Sequence, residues 1–210
     1  MIEKDRKNCG VILSGGKSRR MAGKDKAFLK ICNKALLERV IENLDKQVDI
    51  IAINTNAVDQ SYHKYGLPVL KDIVSGYLGP LAGLLTSMSW AEEKGYENVV
   101  TVAVDTPFFP SDFVNRMIEE MTKSQAKIVL ARSFSIESES SVIHPIFGLW
   151  STSLNKDLSK SLEDGTRKVL DWAFRHPVEY VTFQYEGIDP FFNINQNEDL
   201  NVLDEKRNIY

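Results

Sequence analysis

Between Val11 and Lys26 the chain reads V-I-L-S-G-G-K-S-R-R-M-A-G-K-D-K, an apolar run that passes through a glycine pair into five basic side chains, Lys17, Arg19, Arg20, Lys24 and Lys26. Gly15 and Gly16 can take positive φ and bring backbone N–H groups close to an anion, while the cations neutralise its charge. The chemistry this predicts is phosphate binding. Asp105 follows the apolar run N-V-V-T-V-A-V, where an uncompensated carboxylate is costly. Beside a phosphate-binding loop the simplest compensating charge is Mg²⁺, or Mn²⁺ in its place, held by one or two carboxylates together with substrate phosphates and water. The competing role for Asp105 is to cap the turn opening at Thr106-Pro107. Lys26 and Arg20 are placed to meet charge that develops during phosphoryl or nucleotidyl transfer, whereas Lys17 and Lys24 also read as a solvated cationic face. Asp25 could orient its neighbour Lys26. Asn54 and Asp72 suit contacts to a base or ribose, or ordinary turns.

Two familiar phosphate motifs are excluded. Gly16-Lys17-Ser18 resembles the end of a P-loop, but the glycine required five residues before Gly16 is Val11, and Gly10 misses by one. The dinucleotide-binding fingerprint fails because no third glycine follows Gly15-Gly16 at its spacing, and the loop is more basic than a pyrophosphate turn requires.

The elements that must hold these residues follow from hydrophobic pattern. Cys9 to Leu13, Asp49 to Ile53, Pro68 to Leu70 and Asn98 to Val104 are short apolar runs that suit strands buried on both faces. Leu36, Leu37, Val40, Ile41 and Leu44 recur at helical spacing. Gly76 to Gly83 reads as a glycine-rich turn, followed by a helix with Leu84, Leu85, Met88 and Ala91 on one face. Strands alternating with helices imply a mostly parallel sheet with right-handed crossovers. Ligands then bind beyond the carboxyl ends of the strands, where the Gly15 loop, Asn54, Asp72 and Asp105 all fall. Further on, a helix is predicted from Ser111 to Thr122 and strands at Lys127 to Ala131, Ile143 to Trp150 and Val178 to Tyr185. Helical patterns are built on Leu154, Leu158 and Leu162, then on Val169, Leu170, Trp172 and Phe174, with a last helix opening near Asn197. The polar segment Ser133 to Ser141 reads as a mobile loop.

Composition sets the limits. At 210 residues and 43% hydrophobic content the chain suits one substantial core. A net charge of −3 argues against a general nucleic-acid binder. No apolar run approaches the roughly 20 residues that span a bilayer. The two cysteines, Cys9 and Cys32, form no C-x-x-C pair, the charged N-terminus has no signal-peptide pattern, and the expected compartment is the cytoplasm. His63, His144 and His176 lack helical metal spacing and read as structural.

Taken in order, L-S-G-G-K-S-R-R-M-A-G-K-D-K, Asp72, G-P-L-A-G at Gly79 to Gly83 and V-D-T-P-F at Val104 to Phe108 resemble the molybdenum cofactor guanylyltransferases. So do His144-Pro145, Asp164-Gly165-x-Arg167-Lys168 and the closing F-F-N-I-N, which carries Phe192, Asn193 and Asn195. The resemblance implies a Rossmann-like three-layer α/β/α sandwich over residues 1–210, with a nucleotide-binding half at about 8–110 and an acceptor-binding half at about 111–210. It implies transfer of GMP from Mg-GTP to the terminal phosphate of molybdopterin or the molybdenum cofactor, releasing pyrophosphate. By the same resemblance Leu13, Ser14, Gly15, Gly16 and Gly79 meet the nucleotide, Lys26 binds phosphate, Asn54 and Asp72 contact guanosine, Asp105 holds Mg²⁺, and Asn193 and Asn195 serve the pterin acceptor. Partners implied are GTP and the pterin, with cofactor insertion and delivery proteins as further candidates, and neither nucleic acid nor membrane. Departures from the family loop are Ser14 for alanine, Ala22 for the glycine after Met21, and the length of the Ser133 to Ser141 segment. The alternatives are the same reaction with another nucleotide or acceptor, and a GTP-binding adaptor without catalysis, which the intact Lys26 and Asp105 argue against.

Overall fold

The computed structural model describes residues 8–15, 25–74 and 79–194. The strand predicted at the head of the chain is β1 (Asn8–Leu13), and it lies inside a seven-stranded sheet. The other strands are β4 (Ile50–Asn54), β5 (Val69–Leu70), β6 (Asn98–Ala103), β7 (Ile128–Ser135), β8 (Ser140–Ser151) and β9 (Val178–Tyr185). The small hairpin of β2 (Lys30–Ile31) and β3 (Lys34–Ala35) stands apart, its Cys32 and Asn33 both at the positive φ that a two-residue hairpin turn demands. Strand order across the sheet is β5-β4-β1-β6-β8-β7-β9. β1 runs parallel to both β4 and β6, and β7 runs parallel to β9. β8 is antiparallel to both its neighbours, β6 and β7.

Successive residues of each buried strand face opposite helical layers, as a period of two requires. Ile12, Val100 and Val129 pack with α1 (Leu36–Leu44) and α3 (Phe113–Ser124), while Val11, Val99 and Ile128 pack with α2 (Pro80–Glu93), α4 (Asn155–Glu163) and α5 (Val169–Ala173). The chain is therefore a three-layer α/β/α sandwich, as the sequence implied. Because β1, β4, β6, β7 and β9 point the same way, their carboxyl ends open on one edge of the sheet.

Three expectations need correction. Pro80 to Gly83 is the first turn of α2 rather than the end of a turn: proline at the first helical position lacks only an N–H that would be unpaired anyway. Phe174 follows α5 and is exposed, because that helix is a turn and a half long and its buried face is complete with Val169, Trp172 and Ala173. Ser133 to Ser141 is a β-hairpin, since β7 continues to Ser135 and β8 starts at Ser140. Its serines were read as loop formers, yet Ser133 and Ser135 are buried and hydrogen-bonded. The helix expected near Asn197 lies outside the described residues.

A bulge interrupts the ladder between β7 and β8. β7 pairs Leu130 with Gly148 but Ala131 with His144, so residues 145–147 of β8 lie between two registers. Pro145, which cannot donate to a ladder, sits there, and the bulge sets the aim of His144.

Candidate active site

Asp25 opens the site. Its Oδ1 accepts from the Ala27 N–H at 3.0 Å, capping the 3₁₀ turn Lys26–Phe28. Its Oδ2 accepts from the Tyr62 hydroxyl at 2.7 Å. Asp25 thus acts on Lys26 through the backbone. It holds the turn on which Lys26 stands. From that turn Lys26 reaches Asp105, with Nζ 2.8 Å from Oδ2. Both side chains remain partly exposed, at 18% and 24%. Residues 79 positions apart in sequence are thus joined where β1 and β6 end side by side.

Gly15 does not use the positive φ open to it. Among the described residues, a Cβ there would meet nothing within 4 Å. The Ser14 N–H is taken by the Asn54 carbonyl at 2.8 Å, and the Leu13 carbonyl accepts from Val104 N–H at 3.2 Å, so these two backbone groups extend the sheet. Gly16, Lys17, Arg20, Lys24 and Asn195 lie outside the described residues.

Asn54 and Asp72 are brought together. Asn54 Nδ2 donates to Asp72 Oδ1 at 2.9 Å, and Asn56 Nδ2 donates to Asp72 Oδ2 at 2.7 Å. Asn54 is buried, and Gly83 makes room for it: a Cβ at Gly83 would lie 2.5 Å from Asn54 Oδ1. Gly79, at φ 71°, caps the start of α2, and the turn carrying Arg167 passes close by, its carbonyl 3.8 Å from where a Gly79 Cβ would be. Fourteen-residue α2 thus points its positive dipole end at the same edge of the sheet.

Asn193 lies against Thr106, and Ile194 against Asp105. The Asn193 Oδ1 accepts a short hydrogen bond from the buried Thr106 hydroxyl, and the Ile194 N–H donates to the Asp105 carbonyl at 2.8 Å. Phe191 anchors this segment within a cluster of Phe113, Phe147 and Phe183. Behind it, Ser133 Oγ donates to Asp189 Oδ2 at 2.7 Å and stands 2.8 Å from His144 Nε2. With its single proton given to Asp189, the serine must accept from His144, so these three residues do not form a nucleophilic triad, in which histidine takes the serine proton. Burial pushes the His144 imidazole below its ordinary value, against the pull of Asp189.

The donor chemistry suits a hard cation. Among the described residues no three His, Cys, Asp or Glu side chains gather into a cage. Asp105, partly exposed beyond the end of β6, is an oxygen donor of the kind that Mg²⁺ uses when phosphates and water complete its shell. Among the described residues no helix is long and apolar enough to cross a membrane.

Residues 10–178 match the model of the MobA-like NTP transferase domain. The chain belongs to that family. A molybdenum cofactor guanylyltransferase of Mesorhizobium japonicum is 39% identical over 196 residues, 91% of each chain. Among solved structures, molybdopterin-guanine dinucleotide biosynthesis protein A of Archaeoglobus fulgidus superposes with a TM-score of 0.72 at 22% identity, covering 97% of this chain and 100% of that one. The 4-diphosphocytidyl-2C-methyl-D-erythritol synthase of Anaerococcus prevotii gives 0.73 at 13% identity, covering 97% and 96%. These two are likenesses of fold. The MobA-like fold of this chain relies on residues to which the sequence reading gave no site role, namely Tyr62, Asn56, Gly83, Thr106, Ser133 and Asp189. Gly83 and Thr106 did carry a signal, as members of G-P-L-A-G and V-D-T-P-F.

Proposed function

We propose that this chain transfers GMP from GTP to the terminal phosphate of molybdopterin, with or without its metal, forming the guanine dinucleotide cofactor and pyrophosphate. An acceptor phosphate oxygen attacks the α-phosphorus, the new P–O bond forms, and the bond to the β-phosphate oxygen breaks with its electrons leaving on pyrophosphate. The observation that carries this reading is the Lys26–Asp105 contact at 2.8 Å, at the meeting of the nucleotide and acceptor sides. It sets a cation for phosphate beside an anion for metal.

Asp105 would hold Mg²⁺, or Mn²⁺, which supplies charge neutralisation at the reacting phosphates. Lys26, released from Asp105, meets the negative charge that grows on the α-phosphoryl group, and Arg20 acts with it. Leu13, Ser14, Gly15, Gly16 and Gly79 border the nucleotide. Asn54 orients Asp72, whose oxygens keep lone pairs for the hydroxyls of ribose or the N–H donors of guanine. Asn193, with Asn195 beyond it, faces the acceptor. The 39% identity to a guanylyltransferase over nine-tenths of both chains favours guanine over the other bases.

Purified protein should be offered each of the four ribonucleoside triphosphates with molybdopterin and Mg²⁺ or Mn²⁺, following pyrophosphate release. The expected result is turnover with GTP. Turnover with CTP alone would move the chain to the cytidylyl reaction, and nucleotide binding without turnover would favour the adaptor.

A further inference from the structure

Tyr62 lies far in sequence from both ends of the glycine-rich basic loop and touches both. It stands on a 3₁₀ helix, Gln60–Tyr65, is wholly buried, and packs on Phe28 at 5.0 Å between ring centroids. A buried phenol needs hydrogen-bond partners, and here Asp25 and Ser14 lie closest, with the Thr55 side chain also at hand. The phenol's single proton goes to Asp25 Oδ2 at 2.7 Å, because an ionised carboxylate can only accept. It must then accept from Ser14 Oγ, 2.8 Å away. The result is a directed chain, Ser14 to Tyr62 to Asp25, that joins the last residues of β1 to the cap of the Lys26 turn. Burial raises the phenol's ionisation well above its ordinary value, so it remains a donor. Alanine, the usual family residue at the place of Ser14, has no hydroxyl to supply the first link.

We propose that Tyr62 is a positioning residue for nucleotidyl transfer, its hydroxyl fixing the Asp25-capped turn so that Lys26 is presented at the reacting phosphate. The inference rests on the role given above to Lys26 but not on the identity of the nucleotide. Tyr62 need not touch substrate. It acts on the backbone that carries the lysine, with Asp25 holding Ala27 on one side of Lys26 and Tyr62 holding Asp25 on the other.

The test is a double-mutant cycle with Tyr62→Phe and Lys26→Ala, using whichever nucleotide the wild type turns over. Failure of the guanine reading is thus seen separately, in the choice of nucleotide. The ring stays in Tyr62→Phe, so its packing is kept. That variant should lose roughly 10-fold in kcat, within the ~10²-fold that a small misplacement can cost, with nucleotide affinity measured by calorimetry nearly unchanged. In the Lys26→Ala background the same change should cost little more, because the group it positions is gone. Ser14→Ala, which breaks only the first link, should give a smaller loss in the same pattern and serves should Tyr62→Phe fold poorly. Equal losses in both backgrounds, an unchanged kcat, or weaker nucleotide binding at a constant saturating rate would each overturn the proposal.

Discussion

Lys26 and Asp105 meet with about a fifth of each side chain open to solvent, whereas Ser133 is 1% exposed and has its hydroxyl hydrogen bonded on both sides, to Asp189 and His144, which are themselves 19% and 14% exposed. Both are polar contacts between distant parts of the chain at the same edge of one sheet, yet they suit opposite tasks. At about a fifth exposed, the Lys26–Asp105 pair is reached by solvent from one side, so phosphate and metal can take over the contacts that each partner gives up. The Ser133 hydroxyl is enclosed between Asp189 and His144, and opening those two hydrogen bonds leaves a buried polar group unsatisfied. This cluster shapes the backbone of residues 189–194, which then brings Asn193 to Thr106. In the proposed reading, the charged groups that act on phosphate are held by a contact that solvent reaches, and the backbone behind them by the fully bonded Ser133 hydroxyl.

The sharpest way to break this comparison is at Asp105. Asp105→Ala should bring turnover to background while the circular dichroism spectrum and unfolding midpoint change little. Loss of the folded state would instead make Asp105 a cap for the Thr106 turn and remove the distinction between exchangeable and closed contacts. Gly83→Ala should have an intermediate effect, because its Cβ would meet the buried Asn54 amide at 2.5 Å. Overpacking of this kind typically costs about 1–3 kcal/mol, and since Asn54 holds Asp72, nucleotide affinity should fall with stability. An affinity equal to wild type would detach Asn54 and Asp72 from the nucleotide.

The smallest effect belongs to the closed cluster. Burial holds the His144 imidazole below its ordinary value near 6.5, so protonation favours the unfolded chain. Its stabilising contribution is complete above about pH 6.5 and declines as pH falls from there toward the lower folded value. Urea midpoints between pH 8 and 5 should fall more for the wild type than for His144→Gln, whose amide does not titrate. Parallel curves would show that the cluster accepts a charged imidazole and is not closed.

How far the sequence foretold this depends on the range of the forces involved. α1 was legible because Leu36, Leu37, Val40 and Leu44 repeat along one short stretch, and the central strands because they are unbroken apolar runs. Asp105 and Lys26 were marked by local context, a carboxylate ending a buried strand and a lysine ending a basic loop, but nothing local said that they would meet. The Ser133 to Ser141 hairpin was hidden by its composition. Its inward serines are buried for hydrogen bonds, Ser133 with Asp189 56 residues away and Ser135 with the Ser138 N–H, rather than for apolar area. Tyr62 gave no signal at all, since its partners are Ser14, 48 positions before it, and Asp25, 37 before it.

The central claim is that Lys26 leaves its contact with Asp105 to stabilise charge at the α-phosphate, and it is tested most directly by comparing rate with affinity in Lys26→Ala and Lys26→Gln. Removing one preorganised contact of this type typically lowers kcat by ~10²–10³, and neutral glutamine should not restore it. GTP affinity, measured by titration calorimetry beside steady-state rates, should change much less than kcat. A collapse of affinity with a surviving saturating rate would contradict the account and make Lys26 a ground-state anchor alone.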